Sequence, residues 1–261
     1  MVIDNIDGSV KLDANTIRRW SDRHTGIGFD QLLMVESPTV NNAQFDYRIY
    51  NADGGEVEHC GNGARCFARY VADRGLTDSQ SINVKTRLGV ITLQLLDDGQ
   101  VTVKMGVPQF EPEHVPFVAS ERAKSYELEV DGQLYTVGVA SIGNPHVLLY
   151  VDDLHIADVQ TLGPLIESHE RFPNRVNVGF VQVLDRQHIR LRVFERGVGE
   201  TRACGSGACA AVAIACQQGR LDKTAIVSLP GGDLKIHWPN VTASIEMTGP
   251  CSTVFKGQTR M

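Results

Sequence analysis

The chain has 261 residues, 42% of them hydrophobic and 21% charged, which is enough apolar material for one large domain or two ordinary ones. Its formal net charge of −6 arises from 25 basic against 31 acidic residues, with no basic run or aromatic-studded basic patch, so nucleic-acid binding is excluded as a leading reading. The first residues, MVIDNIDGSVKLD, lack the basic start and apolar stretch of a secretion signal, and the longest apolar run, around Ala208 to Cys216, is too short to span a bilayer. A cytoplasmic protein with no membrane partner is expected.

In chain order, the alternating run FDYRIY predicts a strand, the Gly-rich stretch after it a turn, and Cys60-Gly61-Asn62-Gly63 the start of a helix that stops at Gly75. SINVKTRLGVITLQLL predicts further strands, and proline-containing Val107 to Phe117 reads as the crossover to a second half. The same order then returns. IRLRVF predicts a strand, Cys204-Gly205-Ser206-Gly207 opens a helix that stops at Gly219, and AIVSLPGGDLKIHW predicts strands beyond it.

A shift of 144 residues lays the first unit over the second, with eight identities between positions 48 and 75, the cysteine and the closing glycine among them. The helix GACAAVAIAC is apolar nearly all round, as a helix buried on every side would be. No β-α-β alternation spaced for a Rossmann sheet and no G-x-G-x-x-G after a strand is present. The expected fold is therefore α+β, two similar halves, each wrapping strands around one central helix.

The six cysteines contain no C-x-x-C pair and no accompanying histidine pair at ligand spacing, which argues against zinc. Cys66, Cys209, Cys216 and Cys251 read as small buried apolar residues. Cys60 and Cys204 read as chemical. Each precedes a glycine-rich helix start, where unpaired N–H groups and the helix dipole cradle an anion and favour a thiolate, so both thiols are expected below their ordinary value of about 8.5. Two such helix ends facing one cleft would hold a carboxylate between two sulfurs. One could then remove an α-proton while the other protonates the opposite face. Nothing in the chain suggests a pyridoxal phosphate lysine or a metal to share that work.

The segments NADGGEVEHCGNGARCFARY, SIGNPHV, RVNVGF and ERGVGETRACGSGACAA closely resemble the diaminopimelate epimerase family. The resemblance implies an isomerase free of cofactor that interconverts LL- and meso-diaminopimelate, assembled as a homodimer, with its site between two pseudo-symmetric halves, each a barrel-like sheet around a central helix, at residues 1–106 with 250–261 and at 107–249. It implies Cys60 and Cys204 as the acid/base pair, and Gly61, Asn62, Gly205 and Ser206 as the carboxylate cradle. Gln31, Asn51, Asn144, Asn177 and Arg196 are implied as substrate contacts, and Glu195 and His146 as residues that bind or tune near the thiols. A doubly zwitterionic amino acid fits such a set, since it needs an arginine and amides for a far carboxylate and a carboxylate for ammonium.

The resemblance also implies a short segment before Met1, similar to K-M-H-G-L-G-N-D-F, that supplies a first strand and a substrate-facing asparagine. Without it, lower activity and stability are expected. The tail GPCSTVFKGQTRM is expected to form a closing strand near a dimer contact, with Phe255 where relatives often carry tyrosine. The weighed alternatives are a racemase for another amino acid such as proline, a non-catalytic amino-acid-binding relative, and a thiol-based redox sensor.

Overall fold

A computed structural model describes residues 1–57 and 60–258. The chain divides into two compact units, Met1–Val103 with Gly249–Met261, and Lys104–Thr248. It is a mixed α/β protein.

The first unit runs β1 (Val2–Asn5), α1 (Ala14–Ser21), β2 (Gln31–Glu36), β3 (Phe45–Asn51), β4 (Glu56–Val57), α2 (Gly61–Asp73), β5 (Ser81–Thr86), β6 (Gly89–Leu95) and β7 (Val101–Lys104). The second opens on β8 (Tyr126–Val130) and β9 (Gln133–Ser141). It then runs β10 (Pro145–Tyr150), α3 (Val159–Glu167), β11 (Asn177–Asp185), β12 (His188–Glu195), β13 (Gly199–Thr201), α4 (Gly205–Gln217), β14 (Thr224–Leu229), β15 (Gly232–His237) and β16 (Glu246–Gly249).

From β1 and from β10 onward the two units share one topology. β1 pairs parallel with β2 across α1, and β10 pairs parallel with β11 across α3. β3 pairs parallel with β5 across α2, and β12 with β14 across α4. The strand order is β1-β2-β3-β5-β6-β7 in the first unit and β16-β15-β14-β12-β11-β10-β9-β8 in the second. The predicted repeat is thus a repeat of structure. Its register is the same too: Val57 lies opposite Ile49 and Thr201 opposite Val193.

Local chemistry explains the helix limits. In α2, Gly75 adopts φ +65° and the N–H groups of Gly75 and Leu76 return to the carbonyls of Ala72 and Val71. In α4, Gly219 adopts φ +75° and the N–H groups of Gly219 and Arg220 return to Cys216 and Ala215. Both are the double-bonded glycine stop, in a conformation that a Cβ would strain. The helices α1 and α3, which the apolar pattern leaves unread, begin on the side chains of Asp13 and Asp158, accepting from the N–H groups of Thr16 and Thr161.

Each sheet curls around its cysteine-bearing helix. α4 packs on β9, β10, β11 and β15, strands far apart in the sheet order, and every residue from Gly207 to Ala215 is buried. A Cβ on Gly138 of β9 would lie 2.3 Å from Ile214 Cγ2, so this strand's backbone lies directly on the helix. α2 packs on β1, β2 and β6 but keeps a polar stripe. Cys66 falls on that stripe with Arg69, Tyr70 and Asp73, three, four and seven positions on, and Arg69 pairs with Asp73 at 2.9 Å.

Cys66 is therefore exposed, not buried as its residue type suggested, while Cys209 is buried and Cys216 and Cys251 are half-buried. A second correction concerns the tail. Residues 250–258 carry no strand, and the last three residues of the expected closing strand lie outside the described residues. Val107 to Phe117 packs within the second unit, where Gln109 and Ser141 exchange backbone hydrogen bonds and Val115 and Phe117 join the apolar core.

Candidate active site

Each unit carries its own set of candidate site residues. In the first, Cys60 ends the β4–α2 connection with extended backbone (φ −145°, ψ 110°) and caps the helix, its sulfur accepting the Gly63 N–H at 3.4 Å. Gly63 is required at this point. A Cβ there would lie 2.5 Å from the buried Tyr47 hydroxyl and 3.0 Å from Leu33. Gln31 and Asn51, opposite one another on β2 and β3, are joined by a hydrogen bond of 3.1 Å from Gln31 Nε2 to Asn51 Oδ1. Gly61 is buried and Asn62 half-buried in the first turn.

In the second unit Cys204 occupies the same backbone position (φ −127°, ψ 106°), but its sulfur does something else. It donates to Glu195 Oε2 at 3.1 Å, and its side chain makes no capping hydrogen bond. Burial raises the Cys204 thiol well above its ordinary value. The Glu195 carboxylate adds to that rise through charge and through its hydrogen bond. The Gly207 N–H and Ser206 hydroxyl pull the other way and lose. The expected depression at a helix start is thus reversed at Cys204. The helix end is a partial charge, whereas burial and an adjacent full negative charge act together against the thiolate.

The other predicted residues of this unit form one network. His146 is buried on β10, and its Nε2 lies 3.0 Å from Asn144 Oδ1 and 3.1 Å from Ser206 Oγ. Burial, then the charge of Arg196, lowers this imidazole to about 3, so the ring is neutral. With Asn144 Oδ1 accepting, its proton sits on Nε2. Ser206 Oγ in turn lies 3.7 Å from Cys204 Sγ, so within this unit His146 reaches the thiol through a relay. Asn177 donates to Pro145 O at 2.9 Å and accepts the Arg196 N–H at 3.0 Å, tying the Asn144-Pro145 turn to the turn after β12. The Arg196 guanidinium donates to Asn174 O at 3.0 Å, and Gly205 opens the helix as Gly61 does. Phe255 lies in the tail, 70% exposed and apart from both networks.

Sequence reasoning missed three residues that build these half-sites. Tyr47 packs against Phe67 at a ring separation of 4.7 Å and sets the floor under Gly63. Glu167, buried at the end of α3, accepts the Gly197 N–H at 2.7 Å and an Arg175 hydrogen bond at 3.3 Å, fixing the turn that carries Arg196. Thr201 donates to Glu195 Oε1 at 2.5 Å. The repeat register held a signal for the last of these, since Glu195 lies over Asn51 and Thr201 over Val57.

Among the described residues no cluster of metal-ligating side chains occurs, and no helix is long and apolar enough to cross a membrane.

The family model described as diaminopimelate epimerase matches residues 1–111 and 138–254. The diaminopimelate epimerase of Pseudomonas syringae pv. tomato is 53% identical over 261 residues, covering 100% of this chain and 95% of that protein. Among solved structures, a phenazine biosynthesis protein of the PhzF family from Enterococcus faecalis superposes with a TM-score of 0.66 at 10% identity, covering 100% of this chain and 92% of the other. A hydroxyproline epimerase from Agrobacterium vitis gives 0.60 at 17% identity, covering 90% and 77%. These likenesses speak to the fold, and the sequence match to the relationship: the chain belongs to the diaminopimelate epimerase family.

Proposed function

We propose that this protein is an isomerase that interconverts LL- and meso-2,6-diaminopimelate by a two-base mechanism needing no cofactor, in the supply of lysine and peptidoglycan precursors. The observation that carries the reading is the pair of matched helix starts, each immediately preceded by a cysteine, in a chain 53% identical to a diaminopimelate epimerase.

The reaction needs a base and an acid on opposite faces of one α-carbon. Cys204, held protonated against Glu195, is suited to be the acid in this state, and Cys60, whose sulfur accepts from a helix N–H, to be the base. Proton removal by the Cys60 thiolate leaves a carbanion whose charge spreads into the substrate carboxylate, where the N–H groups at Gly61, Asn62, Gly205 and Ser206 would stabilise it. The Cys204 thiol then gives its proton to the other face. Inversion leaves the two sulfurs with exchanged protonation states, ready for the reverse direction.

Gln31, Asn51, Asn144, Asn177 and Arg196 are proposed to bind the distal amino-acid end, with Glu195 and His146 tuning the thiols. The substrate-facing site is proposed to lie between the halves at 1–106 with 250–261 and at 107–249. A cytoplasmic homodimer is proposed, with exposed Phe255 at its contact.

The test is proton NMR of LL-diaminopimelate with the reduced protein in D₂O. Loss of the α-proton signal together with appearance of the meso isomer is the expected result. A protein that binds the amino acid without exchange would overturn the reading.

A further inference from the structure

We infer that Thr201 is a positioning residue for the acid/base chemistry, acting through Glu195 to hold the Cys204 thiol protonated and aimed. The inference rests on the two-base reading above, but its own observation is geometric. A carboxylate has two oxygens, and those of Glu195 are divided. Oε1 accepts the Thr201 hydroxyl at 2.5 Å and Oε2 accepts the Cys204 thiol at 3.1 Å. A glutamate side chain held at one oxygen only by a weak S–H donor would be free to rotate about its last torsion. The threonine hydroxyl closes that freedom.

The strand register explains why these residues meet. Thr201 lies opposite Val193 on the β12–β13 ribbon, and Glu195 is two residues beyond Val193, so all three share one face. That face looks onto α4, since a Cβ on Gly207 would lie 3.2 Å from Val193 Cγ2 and 3.3 Å from Cys204 Sγ. The opposite face carries Phe194 with the Arg192–Glu200 ion pair, whose 2.6 Å contact occupies the other nearby carboxylate. Glu195 is thus the carboxylate directed at the sulfur, and Thr201 is the hydroxyl that holds it there.

The first unit serves as an internal control. Its ribbon has the same register and the same ion pair, Arg48 with Glu56 at 2.9 Å. At the positions of Glu195 and Thr201, however, it carries Asn51 and Val57. Acid and hydroxyl are replaced together at these two positions of the first unit, where the cysteine sulfur accepts from its helix. The pairing of the two changes is what a joint role predicts.

The test compares Thr201→Val, Thr201→Ser and Glu195→Gln with the parent. Valine is what the first unit carries at this register, so β13 is expected to accept it, and unchanged melting would verify that. Carbon-13 labelling of cysteine Cβ, assigned with Cys204→Ser, reads the thiol–thiolate equilibrium of Cys204 without substrate. Within its unit this thiol faces the Glu195 carboxylate on β12 directly and, through Ser206, His146 on β10, which in turn feels the charge of Arg196. Thr201→Val should move the Cys204 titration to lower pH, in the direction of Glu195→Gln, and Thr201→Ser should restore it.

With substrate, Thr201→Val should lower kcat about tenfold with KM within about twofold. In the Glu195→Gln background it should change the rate by less than about twofold, because its partner is already gone. A Cys204 titration unmoved by Thr201→Val, or equal loss of rate in both backgrounds, would overturn the inference. Absence of α-proton exchange in the parent would instead overturn the epimerase reading and leave the titration result standing.

Discussion

Cys60 and Cys204 occupy one backbone position twice, at the start of two thirteen-residue helices with the same glycine stop. Their sulfurs nevertheless play opposite hydrogen-bonding parts. Cys60 accepts from its own helix, at Gly63, while Cys204 donates across to Glu195. A duplicated scaffold thus presents two chemically identical side chains with different hydrogen-bond partners. The difference comes from neighbours on the adjoining ribbon, not from the helix ends, which are alike. A two-base reaction needs that inequality, because two thiolates or two thiols would leave either the acid or the base missing.

The most severe way to break the comparison is to remove one sulfur. Cys60→Ser and Cys204→Ser should each reduce epimerisation by at least about a thousandfold, since each direction needs both groups. Full turnover in either variant, measured by α-proton exchange, would refute the two-base assignment.

The glycines under the two sulfurs sharpen it next. Gly63→Ala would force a Cβ to 2.5 Å from the Tyr47 hydroxyl, and should cost about 2 kcal/mol of stability. Gly207→Ala meets Val193 and Cys204 at 3.2 and 3.3 Å, so it should cost less than about 1 kcal/mol while displacing the Cys204 sulfur. Chemical denaturation should therefore separate the two variants more than activity does.

Acid pH tests the buried network of the second unit. The folded protein holds His146 neutral down to about 3, whereas the unfolded imidazole takes up a proton near 6.5. The unfolded state therefore binds the extra proton between those values, and stability present above about pH 6.5 is lost as pH falls. By pH 5 the loss should be about 2 kcal/mol, and His146→Gln should lack it. Cys204 works in the other direction. Its folded thiol is raised, so its contribution is intact below about pH 8.5 and fades in more alkaline solution.

The smallest contrast is between the repeated ion pairs. Arg192 donates to Leu154 O and Ala157 O as well as to Glu200, with its side chain 23% exposed, and Arg192→Ala should cost about 1–2 kcal/mol. Arg48 is 43% exposed, and Arg48→Ala should cost under about 1 kcal/mol in thermal unfolding.

What the sequence determined by itself is what depends on neighbours along the chain. The 144-residue repeat, the helices from each cysteine to its glycine, and the buried character of α4 were all legible, because periodicity and capping are local. The quoted motifs also carried the family. Tertiary structure decided what depends on distance and burial. It placed Cys66 on the polar stripe of α2, left residues 250–258 without a strand, and brought Glu167 onto the Arg196 turn. It also set Glu195 and Thr201 beside Cys204, reversing the shift expected at a helix start. A thiol's proton affinity answers to every charge within a few ångströms and to the water it has lost, and no window of sequence contains those distances.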